Sequence, residues 1–240
     1  MNKKKAIPLI IIAICLAVGI GYLIKNHSDG MKISKMAIGM SLLDLYEQNH
    51  DLVGWIRVPG TNISYPVMNS ENYLYQSFEG DYAYRGTPFV MSDWDVEKSR
   101  TTMIFGHNMW VEKTMFNDLH KYKKDGFYKK APKAEFFVIK DKDSDPYVEK
   151  RTYRIHAADL VSVNDDLYAK SQYFNNDSDS LKDLFDAANK DSLFKTKVKW
   201  AGGDELILCT CSYHISGNRD AGRILVFGTR IKTEKKDFYD

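Results

Sequence analysis

Cysteine is scarce in this chain: three in 240 residues, at positions 15, 209 and 211. That excludes a disulfide framework, so the fold must be held by its core. One Cys-x-Cys pair with no second pair is a poor zinc site. A disulfide between two same-strand cysteines two apart would strain the backbone. Charge of one sign is lacking too. Thirty-four basic residues face thirty-two acidic ones, a formal net charge of +2. That balance argues against a dedicated nucleic-acid binder, which carries a strongly basic face. The cluster Lys121-Tyr-Lys-Lys124 reads as a solvated face. There is no internal repeat, no low-complexity segment and no glycine motif that would cradle phosphate.

Long apolar runs are absent except for one. Lys3, Lys4 and Lys5 precede an uncharged run over residues 6–24, closed by Lys25. At about 1.5 Å per residue the run just spans a hydrocarbon core of roughly 30 Å. The lysines predict a cytoplasmic stretch at residues 1–5, a single transmembrane anchor at 6–24 and an exported remainder. A cleaved signal peptide is the alternative, but the run is long and Ala17-Val-Gly19 is a poor cleavage site. The expectation is a single-pass cell-membrane protein. Residues 25–50 supply a linker and an amphipathic helix, with Met36, Met40 and Leu43 at helical spacing. Residues 51–240 form the exported domain.

Short runs with period-two patterning dominate that domain. Strands are predicted at 53–58, 63–68, 87–91, 101–105, 134–139, 152–163, 198–200, 205–211 and 223–231. A short helix is expected over 114–119. A longer one is capped by Ser180 and buries Leu181, Leu184, Phe185 and Ala188. The fold class is mostly β: a small closed barrel of about eight strands with inserted helices.

Two runs are chemically suggestive. Glu205-Leu-Ile-Leu-Cys-Thr-Cys211 ends in a thiol, and the next strand opens with Arg223. A neighbouring cation favours thiolate, the nucleophilic form. The plain alternative is that a free cysteine after an apolar run is a small buried hydrophobe. Cys209 suits that role. Cys209 and Cys211 share one strand face while Thr210 points the other way. Among six histidines, His107 is placed like Cys211, just past an apolar strand and beside Gly106, which leaves room for the backbone to turn and a ligand to approach. His214, three residues past Cys211, is its rival. His120 reads as exposed on a short helix, His156 as structural, and His27 and His50 as linker and helix-end residues.

The sequence resembles the class B sortases from residue 51 to residue 231. Leu208-Cys-Thr-Cys211 matches the family's Leu-x-Thr-Cys signature. Gly106-His-Asn-Met109 with Thr114-Met-Phe-Asn-Asp-Leu119 is similar to the segment bearing the family's histidine. The opening strands from Asp51 to Val67 and the Arg223 strand also match. The resemblance implies a Gram-positive cell-envelope transpeptidase, a thiol-protease-like enzyme needing no metal or cofactor. It implies that Cys211, His107 and Arg223 are catalytic, with Thr210 a substrate contact. Arg219, inside a long loop, competes with Arg223.

The implied chemistry is cleavage after Thr in a C-terminal sorting signal of a secreted protein. A thioester forms on Cys211 and passes to a peptidoglycan amine, or alternatively to a pilin lysine. A reading of another class is a membrane-anchored binding module or pilus-assembly scaffold with an inert cysteine. A papain-like protease would place its cysteine early, on a helix start, unlike this chain.

Overall fold

The structure, a computed structural model, describes residues 41–124, 126–172, 177–213 and 221–235. The anchor expected at 6–24 lies outside them. Among the described residues no helix is long and apolar enough to cross a membrane.

Nine strands and four α-helices make up the described fold. The strands are β1 (Leu52–Arg57), β2 (Ser64–Met68), β3 (Thr101–Phe105), β4 (Asn108–Met109), β5 (Thr114–Met115), β6 (Lys133–Lys140), β7 (Tyr147–Ser162), β8 (Glu205–Cys211) and β9 (Gly222–Lys235). The helices are α1 (Leu42–Gln48), α2 (Phe127–Lys130), α3 (Asp166–Gln172) and α4 (Ser178–Lys190), and a 3₁₀ helix runs over Phe116–Lys123. Seven strands form one curled sheet in the order β2-β1-β6-β7-β9-β8-β3, and β4 pairs with β5 in a separate ribbon.

The closed barrel expected from the sequence is not formed. The ladder stops at β2 on one edge and β3 on the other. Segment 87–91, expected as a strand, lies between them with only isolated bridges, Phe89 to Met68 and Phe89 to Phe105. Its backbone is nevertheless well used: Met68 and Phe105 exchange bonds of 2.8–3.0 Å with Pro88, Phe89 and Val90. A strand must offer every second peptide to each neighbour. Here one turn-bounded stretch serves both edges at a single point, so the sheet is a half-barrel with a stitched seam. The short strand expected at 198–200 is irregular chain.

Curl comes from β7 and β9, the two longest strands. Their register slips twice, at Thr152/Tyr153 and at Ile155/Ala157. Each slip is a bulge that bends the strand and increases its twist. His156 is the extra residue at the second. It is fully buried, its Nε2 is 2.9 Å from Glu205 Oε2, and Asn189 Nδ2 lies 2.8 Å from its Nδ1. It is therefore structural, as expected. It ties β7 to β8 and to α4.

Helix α4 buries Leu181, Leu184, Phe185 and Ala188, as its spacing predicts. Its cap is Asp177, whose carboxylate accepts from Ser180 N at 2.8 Å. The expected cap, Ser180, is one turn inside. Helix α1 opens on a capping box between Ser41 and Asp44 and ends at Asn49. The core lies inside the curl, where β1, β6, β8 and β9 present apolar runs against Phe116, Leu119 and Tyr122.

Candidate active site

The site is set by strand register. β3 and β8 run parallel, with Phe105 opposite Cys209. Gly106 N donates to Cys209 O at 3.1 Å, and Thr210 Oγ1 donates to Gly106 O at 2.6 Å. β3 ends at Phe105 and β8 at Cys211, so His107 and Cys211 each follow the last pair by two residues. On the other side β8 and β9 run antiparallel with Cys211 opposite Arg223, and directly opposed residues share a sheet face. Neighbouring strands lie about 4.8 Å apart. Cys211 and Arg223 thus face each other where β8 ends and β9 begins, and the chain leaves β3 for His107 at the same end of the sheet. Of the three residues expected to be catalytic, Cys211 and Arg223 are direct cross-strand partners, and His107 follows the end of β3, the strand on the other side of β8.

His107 is half-buried. Its Nε2 is 2.8 Å from Leu74 O, and its ring lies 5.3 Å from that of Tyr75. A carbonyl only accepts, so Nε2 carries the hydrogen and Nδ1 is left as the ring's other titrating atom. Burial pushes the His107 pKa below the usual histidine value, and the Leu74 carbonyl partly offsets this by favouring the charged ring. Gly106 is required by packing. A Cβ there would lie 2.8–3.0 Å from the Phe116 ring. The space expected for a ligand is filled by that ring.

Arg223 is steadied by its own strand, with Nη1 donating to Gly222 O at 2.9 Å, and it hydrogen-bonds the Tyr168 side chain on α3. Burial raises the Tyr168 pKa. Helix α3 had no expectation attached to it. The two cysteines differ as their positions imply. Cys211 is half-exposed at the strand end, whereas Cys209 is 1% exposed in the core, where burial pushes its thiol pKa far up. Thr210, expected at the substrate, is 2% exposed and its hydroxyl is engaged with Gly106. His214 and Arg219 lie outside the described residues.

One group of site residues was missed. His120 is half-buried rather than exposed, and its Nε2 stands 3.0 Å from the carbonyl oxygen of Cys211. Asn108 donates to the same oxygen at 3.0 Å. Phe116, Leu119 and Tyr122 recur every third residue, in keeping with the 3₁₀ helix over Phe116–Lys123, where Asp118 is buried as well, but nothing in that spacing ties His120 to Cys211.

No protein-family model matches the chain. Curated relatives do. It is 27% identical over 195 residues to Sortase B of Listeria monocytogenes, covering 79% of this chain and 74% of that one. It is 28% identical over 189 residues to Sortase B of Staphylococcus aureus, covering 77% and 72%. The fold agrees. The Clostridium perfringens sortase B structure superposes with a TM-score of 0.67 at 24% identity, over 79% of this chain and 99% of that one. Together these matches support reading the chain as a class B sortase. It is a sortase-type cysteine transpeptidase. A Staphylococcus aureus sortase B–substrate complex also matches, with a TM-score of 0.66 at 23% identity over 90% of this chain and 97% of that one. The candidate thiol and guanidinium, Cys211 and Arg223, thus stand opposite each other on a sortase B-like fold.

Proposed function

We propose that this sortase cleaves a C-terminal sorting signal after its threonine and transfers the new acyl end to a peptidoglycan amine. The register that sets Cys211 opposite Arg223, with His107 just past the end of the neighbouring strand β3, supports the reading. The Cys211 thiolate attacks the threonine carbonyl carbon. Arg223 donates to the oxygen as it becomes anionic. His107, protonated, gives its Nδ1 proton to the departing amine while Nε2–H stays on Leu74 O, so the C–N bond breaks and a thioester remains. An incoming amine then attacks the thioester, its proton goes to Nδ1, and the thiolate leaves. The Leu74 carbonyl suits this shuttle, because it supports the ring in its charged form.

The run over residues 6–24 anchors the domain at the outer membrane face, with residues 1–5 cytoplasmic and 51–240 as the catalytic domain. The triple lysine supports this topology. The test is mass spectrometry of the protein with sorting-signal peptides of the Leu-Pro-x-Thr-Gly and Asn-Pro-x-Thr-Asn types. A similar sortase B structure is a complex with a glycine tripeptide, so triglycine is offered as acceptor alongside a pilin-like lysine peptide. The expected products are a Cys211 acyl-enzyme and a triglycine adduct. Exclusive transfer to the lysine peptide would instead make it a pilin polymerase, and no Cys211 adduct with any peptide would leave a scaffold.

A further inference from the structure

The 3₁₀ helix over Phe116–Lys123 divides its eight residues into three rows. With about three residues per turn and a rise of about 2 Å, every third side chain eclipses the last, about 6 Å further along. In an α-helix each third residue would turn about 60° off the row. Phe116, Leu119 and Tyr122 enter the core. Asp118 and Lys121 face the turn between β1 and β2, where Asp118 Oδ2 accepts from Asn62 N at 2.9 Å and from Lys121 Nζ at 2.7 Å. The third row is polar and meets the end of β8. Asn117 Nδ2 donates to Asn108 Oδ1 at 2.7 Å, His120 Nε2 is 3.0 Å from Cys211 O, and Lys123 Nζ donates to Ser212 Oγ at 3.4 Å.

Two polar side chains meet at Cys211 O. Asn117 fills Asn108 Oδ1, which turns the Asn108 amino group towards the carbonyl, 3.0 Å away. His120 Nε2 is 3.0 Å from that amino group as well as from the carbonyl. Nε2 can accept from the Asn108 amino group or, in the tautomer that carries its hydrogen there, donate to the carbonyl. We take the second, in which two donors converge on that oxygen. Both lone pairs of the Cys211 carbonyl are then used. On the other side of the same peptide plane, Ser212 N donates to Gly222 O at 2.9 Å. The plane that follows Cys211 is thus gripped at its oxygen by His120 and Asn108 and at its N–H by β9.

We propose that His120 and Asn108 are positioning residues: they fix the peptide plane of Cys211 and so aim the thiol for attack. The proposal rests on the reading of Cys211 as nucleophile. Strand pairing fixes the backbone before Cys211, and the gripped plane fixes it after, leaving the thiol one side-chain rotation. Reacting atoms must approach to about 3–3.5 Å in line, and small misplacements are costly.

The test compares His120→Ala, His120→Gln, Asn108→Ala and Cys211→Ala by single-turnover acylation of a cleaved sorting-signal peptide. Thermal midpoints and the ¹³C resonance of the labelled Cys211 carbonyl are read alongside. His120→Ala should slow acylation by about 10–100-fold with KM within about twofold, and should move the Cys211 carbonyl resonance but not that of Cys209. His120→Gln keeps a donor and should recover most of the rate, with the wild-type pH profile. Should His120→Ala fail to fold, His120→Gln and Asn108→Ala still decide, since Asn108→Ala should move the same resonance and slow the same step. Wild-type acylation by His120→Ala, or an unmoved carbonyl resonance, overturns the proposal. So does a His120→Gln variant as slow as alanine, or one whose acid limb has vanished, since His120 would then be carrying a proton. Turnover by Cys211→Ala would instead remove the nucleophile reading itself.

Discussion

Replacing Thr210 by valine separates a strand clamp from a substrate contact. The side chain is 2% exposed and its hydroxyl donates to Gly106 O at 2.6 Å, across the parallel pair β3 and β8. Valine keeps the shape and removes the donor. A buried acceptor left without its partner costs about 1–3 kcal/mol. For a domain of this size each kcal/mol is worth about 2–4 °C, so the midpoint should fall by about 2–12 °C. Activity should fall further than stability explains. The lost bond is one residue from His107 and one from Cys211, and a small shift between reacting groups can cost about 10²-fold. The assay is a thermal melt beside peptide turnover, with Thr210→Ser as the control that restores the hydroxyl. The expected result is a lowered midpoint and lowered kcat for valine, both largely recovered by serine. A raised KM with an unchanged midpoint would refute the clamp and return Thr210 to the substrate.

Cys211→Ala should abolish peptide cleavage with the fold intact. Cys209→Ser should keep turnover but lose stability by about 1–3 kcal/mol, because a hydroxyl replaces a core thiol; equal loss of activity in both would refute the division of roles. An NMR titration of His107 should give a midpoint below the free-histidine value of about 6.5, because burial outweighs the Leu74 carbonyl, and a midpoint above it would contradict the packing described. Asp159 on β7 is buried and its pKa is pushed up to about 7, with Asp191 adding to the effect of burial and Lys195 opposing it. The folded state then holds this proton more tightly than the unfolded one. Its stabilising contribution is complete below about pH 4 and is lost as pH rises through about 7. Denaturant unfolding of Asp159→Asn across that range should show a flatter decline than wild type, and identical slopes would sink the assignment.

What could be read from the chain follows from which forces act locally. Strands announce themselves when one residue in two, or every residue, is apolar, so β1, β8 and β9 were legible. Cys211 and Arg223 were legible because each marks a strand boundary. His107 needed a family pattern, since no local rule pairs residue 107 with residue 211. Barrel closure was not legible. Segment 87–91 has strand composition, yet Pro88 lacks a donor and the stretch bonds to two edges at once. The cap of α4 was misplaced because Asp177 and Ser180 are both good caps, and only the packed helix selects between them. His120 was missed because its partners, Asn108 and the Cys211 carbonyl, belong to other elements and no local pattern pairs it with them.

The parallel pairing of β3 with β8 has a consequence for how the chain acquires activity. Every other pairing in the sheet is antiparallel, and β3 joins as an edge strand whose partner lies 104 residues later, Phe105 against Cys209. Contacts of such separation carry a large loop-closure cost and slow the search for the native topology. Until β3 docks, a chain can hold Cys211 beside Arg223 yet leave His107, which follows β3, unplaced. On the proposed mechanism, such a half-assembled chain would lack its proton shuttle. Under that mechanism, activity would report that the most distant strand pairing in the sheet has been made.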